Sequence, residues 1–296
     1  MSNCFEQYLE ELSTLNFSPR TCEAYRHSVN RFIRYADDRG LVKLQDITLK
    51  DLEKYKLSLM DSNLSENTVD SYMRTLRNFF KYLEDKHHIF ISPAGDLITN
   101  RPRPRLQPVP SEEDVRKLLC LIDVSKPSGI RDRALFETVY STAARREEII
   151  GMDLSDIDFR NHTARVFGKG RKERTVPLGK AALYWLGKYI DEVRPEFIKN
   201  NADEPALWIG KNTHGRINML IVGTLIKDYA RQAGIKMNVT LHSLRRACAT
   251  HMLNNGAHPV FIQLLLGHAT MKTMCHYLKV TITELRKMHS KTRVGQ

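Results

Sequence analysis

Through most of the first ninety positions, apolar residues recur at three- and four-residue steps, the spacing that gathers one stripe on one face of an α-helix. Ser18-Pro19 marks a helix start, and Cys22, Tyr25, Val29, Phe32, Ile33 and Ala36 form its stripe. The next start lies near Thr48, where Asp51 three residues on makes a variant of the capping box ahead of Leu52, Tyr55, Leu59 and Met60. A fourth helix is predicted from Ser65, with Val69, Tyr72, Met73, Leu76, Phe79, Phe80 and Leu83 on one side.

Within this stretch the pattern repeats. Ser18, Thr21, Tyr25, Val29, Phe32, Arg34 and Tyr35 return 47 residues later as Ser65, Thr68, Tyr72, Leu76, Phe79, Lys81 and Tyr82. Two similar helical hairpins packed together would give this echo, and so would two amphipathic helices converging on one pattern. The polar faces carry Arg20, Arg26, Arg31, Arg74, Arg77 and Lys81, a set able to reach phosphates.

Ser92-Pro93 ends the helical pattern. Arg101-Pro-Arg-Pro-Arg105, with Pro108 and Pro110, cannot continue a helix, because each proline removes a donor and disfavours helix at the residue before it. Residues 1–92 are therefore expected to form one domain and 93–110 a stiff, basic linker able to pass beside a duplex. A Pro-rich spacer with solvated arginines reads the same way. A second domain is expected over 111–296, opening with Ser111 as N-cap, acidic residues in the first turn, and Val115, Leu118, Leu119 and Ile122 beneath.

Residues 156–178 change character. Ile157, Phe159, Ala164, Val166, Phe167, Thr175 and Val176 flank Gly168 and Gly170, which predicts an antiparallel strand pair or a three-stranded sheet. Helical periodicity returns from Lys180, with a loop near 203–215. The expected fold is mainly α: a four-helix N-terminal domain, then an α+β domain whose helices carry a small antiparallel sheet.

With 296 residues and 42% hydrophobic content, two domains can each bury a core, and a soluble globular protein is expected. The net charge of +12 favours a polyanionic partner, and its distribution sharpens that. Residues 1–100 hold 13 Lys+Arg against 15 Asp+Glu, whereas residues 101–296 hold 33 against 19, so the excess lies with the second domain. The five cysteines make no CxxC pair or metal-ligand spacing and are expected to be reduced thiols. No apolar stretch approaches a membrane span, so a cytoplasmic, nucleoid-associated protein with no membrane partner is expected.

Six residues in short, distinctive segments carry the candidate chemistry: Arg145, Lys169, His242, Arg245, His268 and Tyr277. Arg145 and Arg245 suit a phosphate clamp, because a guanidinium stays charged and donates two parallel hydrogen bonds to non-bridging oxygens. His242 and Arg245 stand three apart in a helix predicted after Thr240, where the helix N-terminus already favours an anion. Lys169, between two glycines at a strand turn, can protonate a departing oxygen, and Lys172 competes for that role. Leu264-Leu-Leu-Gly-His268 reads as a buried helix end with Gly267 at its C-cap, leaving His268 at the junction. Tyr277, nine residues after His268, is the candidate nucleophile; a phenol with a pKa of about 10 needs cations or a base to activate it. Glu148 is placed to hold the Arg145 segment. No acidic cluster, GxxxxGK[ST] cradle or GxSxG elbow is present, so neither metal nor cofactor is expected.

Together these segments resemble the tyrosine site-specific recombinases of the phage-integrase family, and Xer-like members most. By that resemblance Arg145 matches the arginine of the T-G-L-R-x-x-E block, Lys169 that of the G-K-G-x-K-E-R hairpin, His242 and Arg245 the H-x-L-R pair, His268 the L-L-G-H histidine, and Tyr277 the nucleophile. The resemblance implies a DNA-clamping domain, a linker and a catalytic domain. It also implies a duplex with inverted half-sites, a tetramer on DNA, 3′-phosphotyrosine links and a Holliday junction. Ile282, Leu285 and Met288 would lie in a tail passed to a neighbouring subunit, and a second recombinase or accessory protein can be required. Two positions depart from the family. Ala143-Ala144 stands where Gly-Leu or Gly-Met is usual, which predicts a tighter or more helical turn and lets Arg146 compete for phosphate, and Arg246 replaces a frequent histidine. The alternatives are a catalytically weak DNA-binding accessory protein of the same fold, disfavoured because all six positions are filled, and a topoisomerase-like enzyme acting alone.

Overall fold

The computed structural model describes residues 2–15, 17–41, 43–97, 108–168, 173–199, 201 and 203–267. The chain divides into two compact units, Met1–Arg105 and Leu106–Gln296.

The first unit holds α1 (Ser2–Thr14), α2 (Pro19–Asp37), α3 (Leu49–Met60) and α4 (Glu66–Asp85), with a 3-10 turn at Leu44–Asp46. The helices start where side chains can satisfy first-turn amides. Ser18 accepts from the Thr21 amide at 3.1 Å and Ser65 from the Thr68 amide at 3.2 Å, and in each cap the two hydroxyls lie 2.8 Å apart. At α3, Asp51 accepts from the Thr48 amide at 3.0 Å. The repeated sequence thus builds the same cap twice, and its aromatic pair Phe32 and Phe79 is fully buried. Around them pack Phe5, Leu52, Tyr55 and Phe80, with Phe5 edge-on to Phe79 and Phe32 edge-on to Phe80. Cations on the polar faces have partners inside the unit. Arg26 bonds Glu6, Arg74 bonds Asp70, Arg31 donates to Ser62, and Arg77 donates to the Leu97 carbonyl.

The second unit begins with α5 (Glu112–Leu121), capped reciprocally by Ser111 and Asp114. Then come α6 (Pro127–Thr142), α7 (Arg146–Ile150), β1 (Ile157–Asp158), β2 (Thr163–Phe167) and β3 (Glu173–Pro177). A helical run follows through α8 (Lys180–Lys188), a π-helical turn at Tyr189–Val193 and α9 (Arg194–Ile198). The unit continues with α10 (Met219–Gln232), α11 (Leu241–Asn254) and α12 (Pro259–Leu266).

Helix α6 runs through the core, burying Ala134, Leu135, Phe136 and Val139. A buried polar relay ties it to α10: Arg131 forks onto Asp132 Oδ1, and Tyr229 donates to Asp132 Oδ2 at 3.0 Å. The sheet is antiparallel in the order β1-β2-β3, with Val166 opposite Arg174 and Ala164 opposite Val176. Because strand side chains alternate, Ala164, Val166 and Val176 bury one face, and Arg174 points to that same side. Among the described residues no helix is long and apolar enough to cross a membrane.

Candidate active site

Three chain segments converge on one carboxylate. Helix α6 ends at Thr142, and Ala143 caps it in the left-handed region at φ 48° and ψ 27°. The expectation of a more helical turn before Arg145 is corrected, because the left-handed Ala143 ends the helix. Ala143 adopts the backbone that a glycine would take, with a buried methyl group added.

The reversal delivers Arg145 as N-cap of α7, where Glu148 reaches back. Its Oε2 accepts from the Arg145 amide at 2.7 Å and its Oε1 from Arg145 Nη1 at 2.7 Å. Arg174 forks onto the same carboxylate, with Nη1 and Nη2 at 2.8 and 2.7 Å. Arg245 Nη1 stands 3.9 Å away. Burial alone would raise the Glu148 carboxyl, but the hydrogen bonds from Arg174 and Arg145 outweigh it and hold the group down to about 2.

The same three arginines close the end of α12. Its chain leaves through Gly267 at φ 61°, as the Leu-Leu-Gly-His pattern predicts. Arg174 Nε donates to the Leu265 carbonyl at 3.1 Å, Arg245 Nη2 to that of Leu266 at 2.7 Å, and Arg145 Nη2 to that of Gly267 at 3.3 Å. The guanidiniums thus bond carbonyls at the end of α12 and offset the negative end of the helix dipole. The expectation of a wholly buried helix end needs correction. Leu265 and Leu266 are buried, but Leu264 is 66% exposed.

His242 and Arg245 both lie on the first turns of α11, which Thr240 caps by accepting from the Ser243 amide at 3.1 Å. Arg245 is 3% exposed and also donates from Nη1 to the Ala143 carbonyl at 2.7 Å. His242 is open to solvent at its edge, and partial burial followed by the charges of Arg245, Arg246 and Arg145 lowers its imidazole pKa. A cleft of about 640 Å³ opens here, lined by Arg145, Arg146, His242 and Arg245, with Thr224 and Lys227 from α10. Arg146 borders it while bonded to Glu147 at 3.1 Å. Such an arrangement can bind a tetrahedral oxyanion. Arg145, with a side chain 38% exposed, and the buried Arg245 both line the cleft.

The structure thus brings Arg145, His242 and Arg245 together. Lys169, its competitor Lys172, His268, Tyr277 and the tail with Ile282, Leu285 and Met288 lie outside the described residues, as does most of the proline-rich linker. Arg174 was not singled out from sequence, because it ends a basic run that also suits a solvated hairpin.

Residues 110–284 match the phage integrase family, and residues 5–87 match the phage integrase N-terminal SAM-like domain. The chain belongs to the phage integrase family. It is 35% identical to tyrosine recombinase XerC 2 of Ralstonia nicotianae, over 99% of this chain and 86% of that protein. Among solved structures, the XerH site-specific recombinase bound to its difH substrate in a pre-cleavage complex superposes with a TM-score of 0.74 at 21% identity, over 97% of this chain and 83% of that one. A lambda integrase tetramer bound to a Holliday junction gives 0.72 at 18% identity, over 91% and 77%. The mostly helical architecture with its small three-stranded sheet is the fold of this family.

Proposed function

We propose that this phage integrase family member is a site-specific DNA recombinase that cuts and rejoins strands through a 3′-phosphotyrosine link. The observation that carries the reading is the cluster of Arg145 and Arg245 around Glu148, at the mouth of a cleft shared with His242. In this reading the two guanidiniums grip the scissile phosphate and stabilise the charge of its five-coordinate transition state, each well-placed donor contributing on the order of 3 kcal/mol.

Tyr277 attacks phosphorus, and the P–O bond to the 5′ oxygen breaks. Lys169 gives that oxygen its proton, while His242 and His268 assist proton transfer and hold the phosphate. Lowering of the His242 pKa favours the neutral ring, which can accept a proton. The phosphodiester energy is kept in the tyrosyl link, so rejoining needs no cofactor.

Residues 1–92 then clamp DNA, 93–110 pass beside the duplex, and 111–296 carry the chemistry. Pairs of subunits exchange strands on inverted half-sites through a Holliday junction, as a tetramer. The lambda integrase tetramer on such a junction supports this assembly by its shared fold.

Nicked suicide duplexes drawn from the DNA around its own gene test the reading. The wild-type protein should form a covalent adduct, and Tyr277→Phe should form none. An undiminished adduct in that variant would overturn the assignment.

A further inference from the structure

We infer that Arg174 is a positioning residue for strand cleavage, cancelling the charge of Glu148 so that Arg145 and Arg245 stay available to the phosphate. The inference rests on the recombinase reading given above and adds a residue that the six-residue constellation lacks.

Three observations carry it. All three guanidinium nitrogens of Arg174 are bonded inside the protein, two to Glu148 and one to the Leu265 carbonyl, and the side chain is only 15% exposed. Arg174 is also absent from the lining of the cleft, so its action runs through other residues. The second observation is charge. Glu148 is 3% exposed at its side chain and is bonded to Arg145, with Arg245 at 3.9 Å. If Arg174 were removed, the full negative charge would draw those two guanidiniums inward in a poorly screened site. With Arg174 present, three guanidiniums against one carboxylate leave two net positive charges. A phosphorane with two charged non-bridging oxygens calls for that number.

The third observation is fit. A Cβ on Gly267 would meet Arg174 Nε at 3.1 Å and its Cδ and Cζ at 3.2 Å, so the bare glycine leaves room for this guanidinium. Arg174 therefore binds strand β3, helix α7 and the last turn of α12 into one body. Those segments border Lys169, Arg145 and His268 in the sequence.

The test uses the full-length protein on a nicked duplex that the wild type cleaves. It compares Arg174→Gln, Arg174→Lys and the double variant Glu148→Gln/Arg174→Gln. Single-turnover adduct rates at saturating DNA are read beside DNA affinity and thermal unfolding. Arg174→Gln should slow adduct formation about 100-fold, the scale expected when reacting groups are displaced by about 1 Å, while DNA affinity changes less than about threefold. Arg174→Lys should recover at least about tenfold of that loss by restoring charge without the fork. The double variant should be faster than Arg174→Gln, because the uncancelled carboxylate is gone. If Arg174→Gln fails to fold, Arg174→Lys decides against wild type: folding with a rate within about tenfold of wild type but below it supports the inference, and a loss of about 100-fold or none at all overturns it.

A loss under tenfold in Arg174→Gln, a loss lying wholly in DNA affinity, no recovery with lysine, or a double variant slower than the single would each overturn the inference. No adduct from the wild-type protein on any duplex would overturn the recombinase reading, and this inference with it.

Discussion

Arg245 Nη2 donates to the carbonyl of Leu266 at 2.7 Å, from a side chain that solvent hardly reaches. Arg145 meets the neighbouring Gly267 carbonyl at 3.3 Å with a side chain 38% exposed. The two arginines thus serve one phosphate in the proposed chemistry but differ in what they do for the fold. Arg245→Ala should destabilise the protein by roughly 2–4 kcal/mol, because the buried Ala143 and Leu266 carbonyls lose their donor and the buried Glu148 carboxylate loses a nearby positive charge. Arg145→Ala should cost less, roughly 1–2 kcal/mol, because Arg174 still forks onto the Glu148 carboxylate. Both should slow covalent adduct formation by about 100- to 1,000-fold. Urea unfolding beside single-turnover cleavage checks the contrast, and equal stability losses would contradict it.

Ala143 sets up a second expectation. Removing its methyl relieves a left-handed alanine of roughly 1–2 kcal/mol, but forfeits about 0.8 kcal/mol of methyl burial and adds roughly 0.5–1 kcal/mol of chain entropy. These effects nearly cancel, so Ala143→Gly should unfold within about 1 kcal/mol of wild type and retain cleavage. Ala143→Val combines a β-branched side chain, a φ of 48° and a site without solvent exposure, and should cost more than about 2 kcal/mol. Denaturant midpoints separate the two.

For Gly267→Ala the strain has a direction. The added methyl would press on the Arg174 guanidinium, which is fixed by Glu148 and the Leu265 carbonyl, while the backbone sits at φ 61°. A stability loss of roughly 1–2 kcal/mol is expected from the backbone alone, with slower cleavage if Arg174 yields. Cleavage at the wild-type rate would show that this contact does not matter to the chemistry.

The Glu148 carboxyl gives a pH dependence. Its folded-state pKa, about 2, lies below the 4.5 of the free group, so its contribution is fully present above about pH 4.5 and is lost as pH falls towards 2. That contribution is roughly 3 kcal/mol. Unfolding free energy measured across this window should fall less steeply in Glu148→Gln than in wild type. Parallel profiles would exclude the assignment.

The twin caps of the first unit invite a paired test. Ser18→Ala and Ser65→Ala each remove a side-chain acceptor for a first-turn amide in the same geometry, and each should cost about 1 kcal/mol. Thermal unfolding of the two variants should show closely similar shifts.

Features written in local chemistry were legible in the sequence. The Ser18, Thr48, Ser65 and Ser111 caps, the left-handed Gly267 and the hold of Glu148 on Arg145 depend on residues three or four apart, and the structure forms each of them. What escaped depends on tertiary placement. No propensity marks an alanine for the left-handed region, so the backbone at Ala143 is not legible in the sequence. Leu264 belongs to an unbroken apolar run whose exposed member only packing reveals. Arg174 stands among cations of equal sequence weight, and the one available signal was its spacing of two from Val176, which puts both on the buried side of β3.

That alternation limits how the hairpin can diverge. A one-residue slip of β3 against β2 would bring Thr175 opposite Val166 and turn the arginine outward. Single insertions or deletions within these strands should therefore be purged from functional descendants of this chain, while changes by two residues preserve the inward side and leave room for drift.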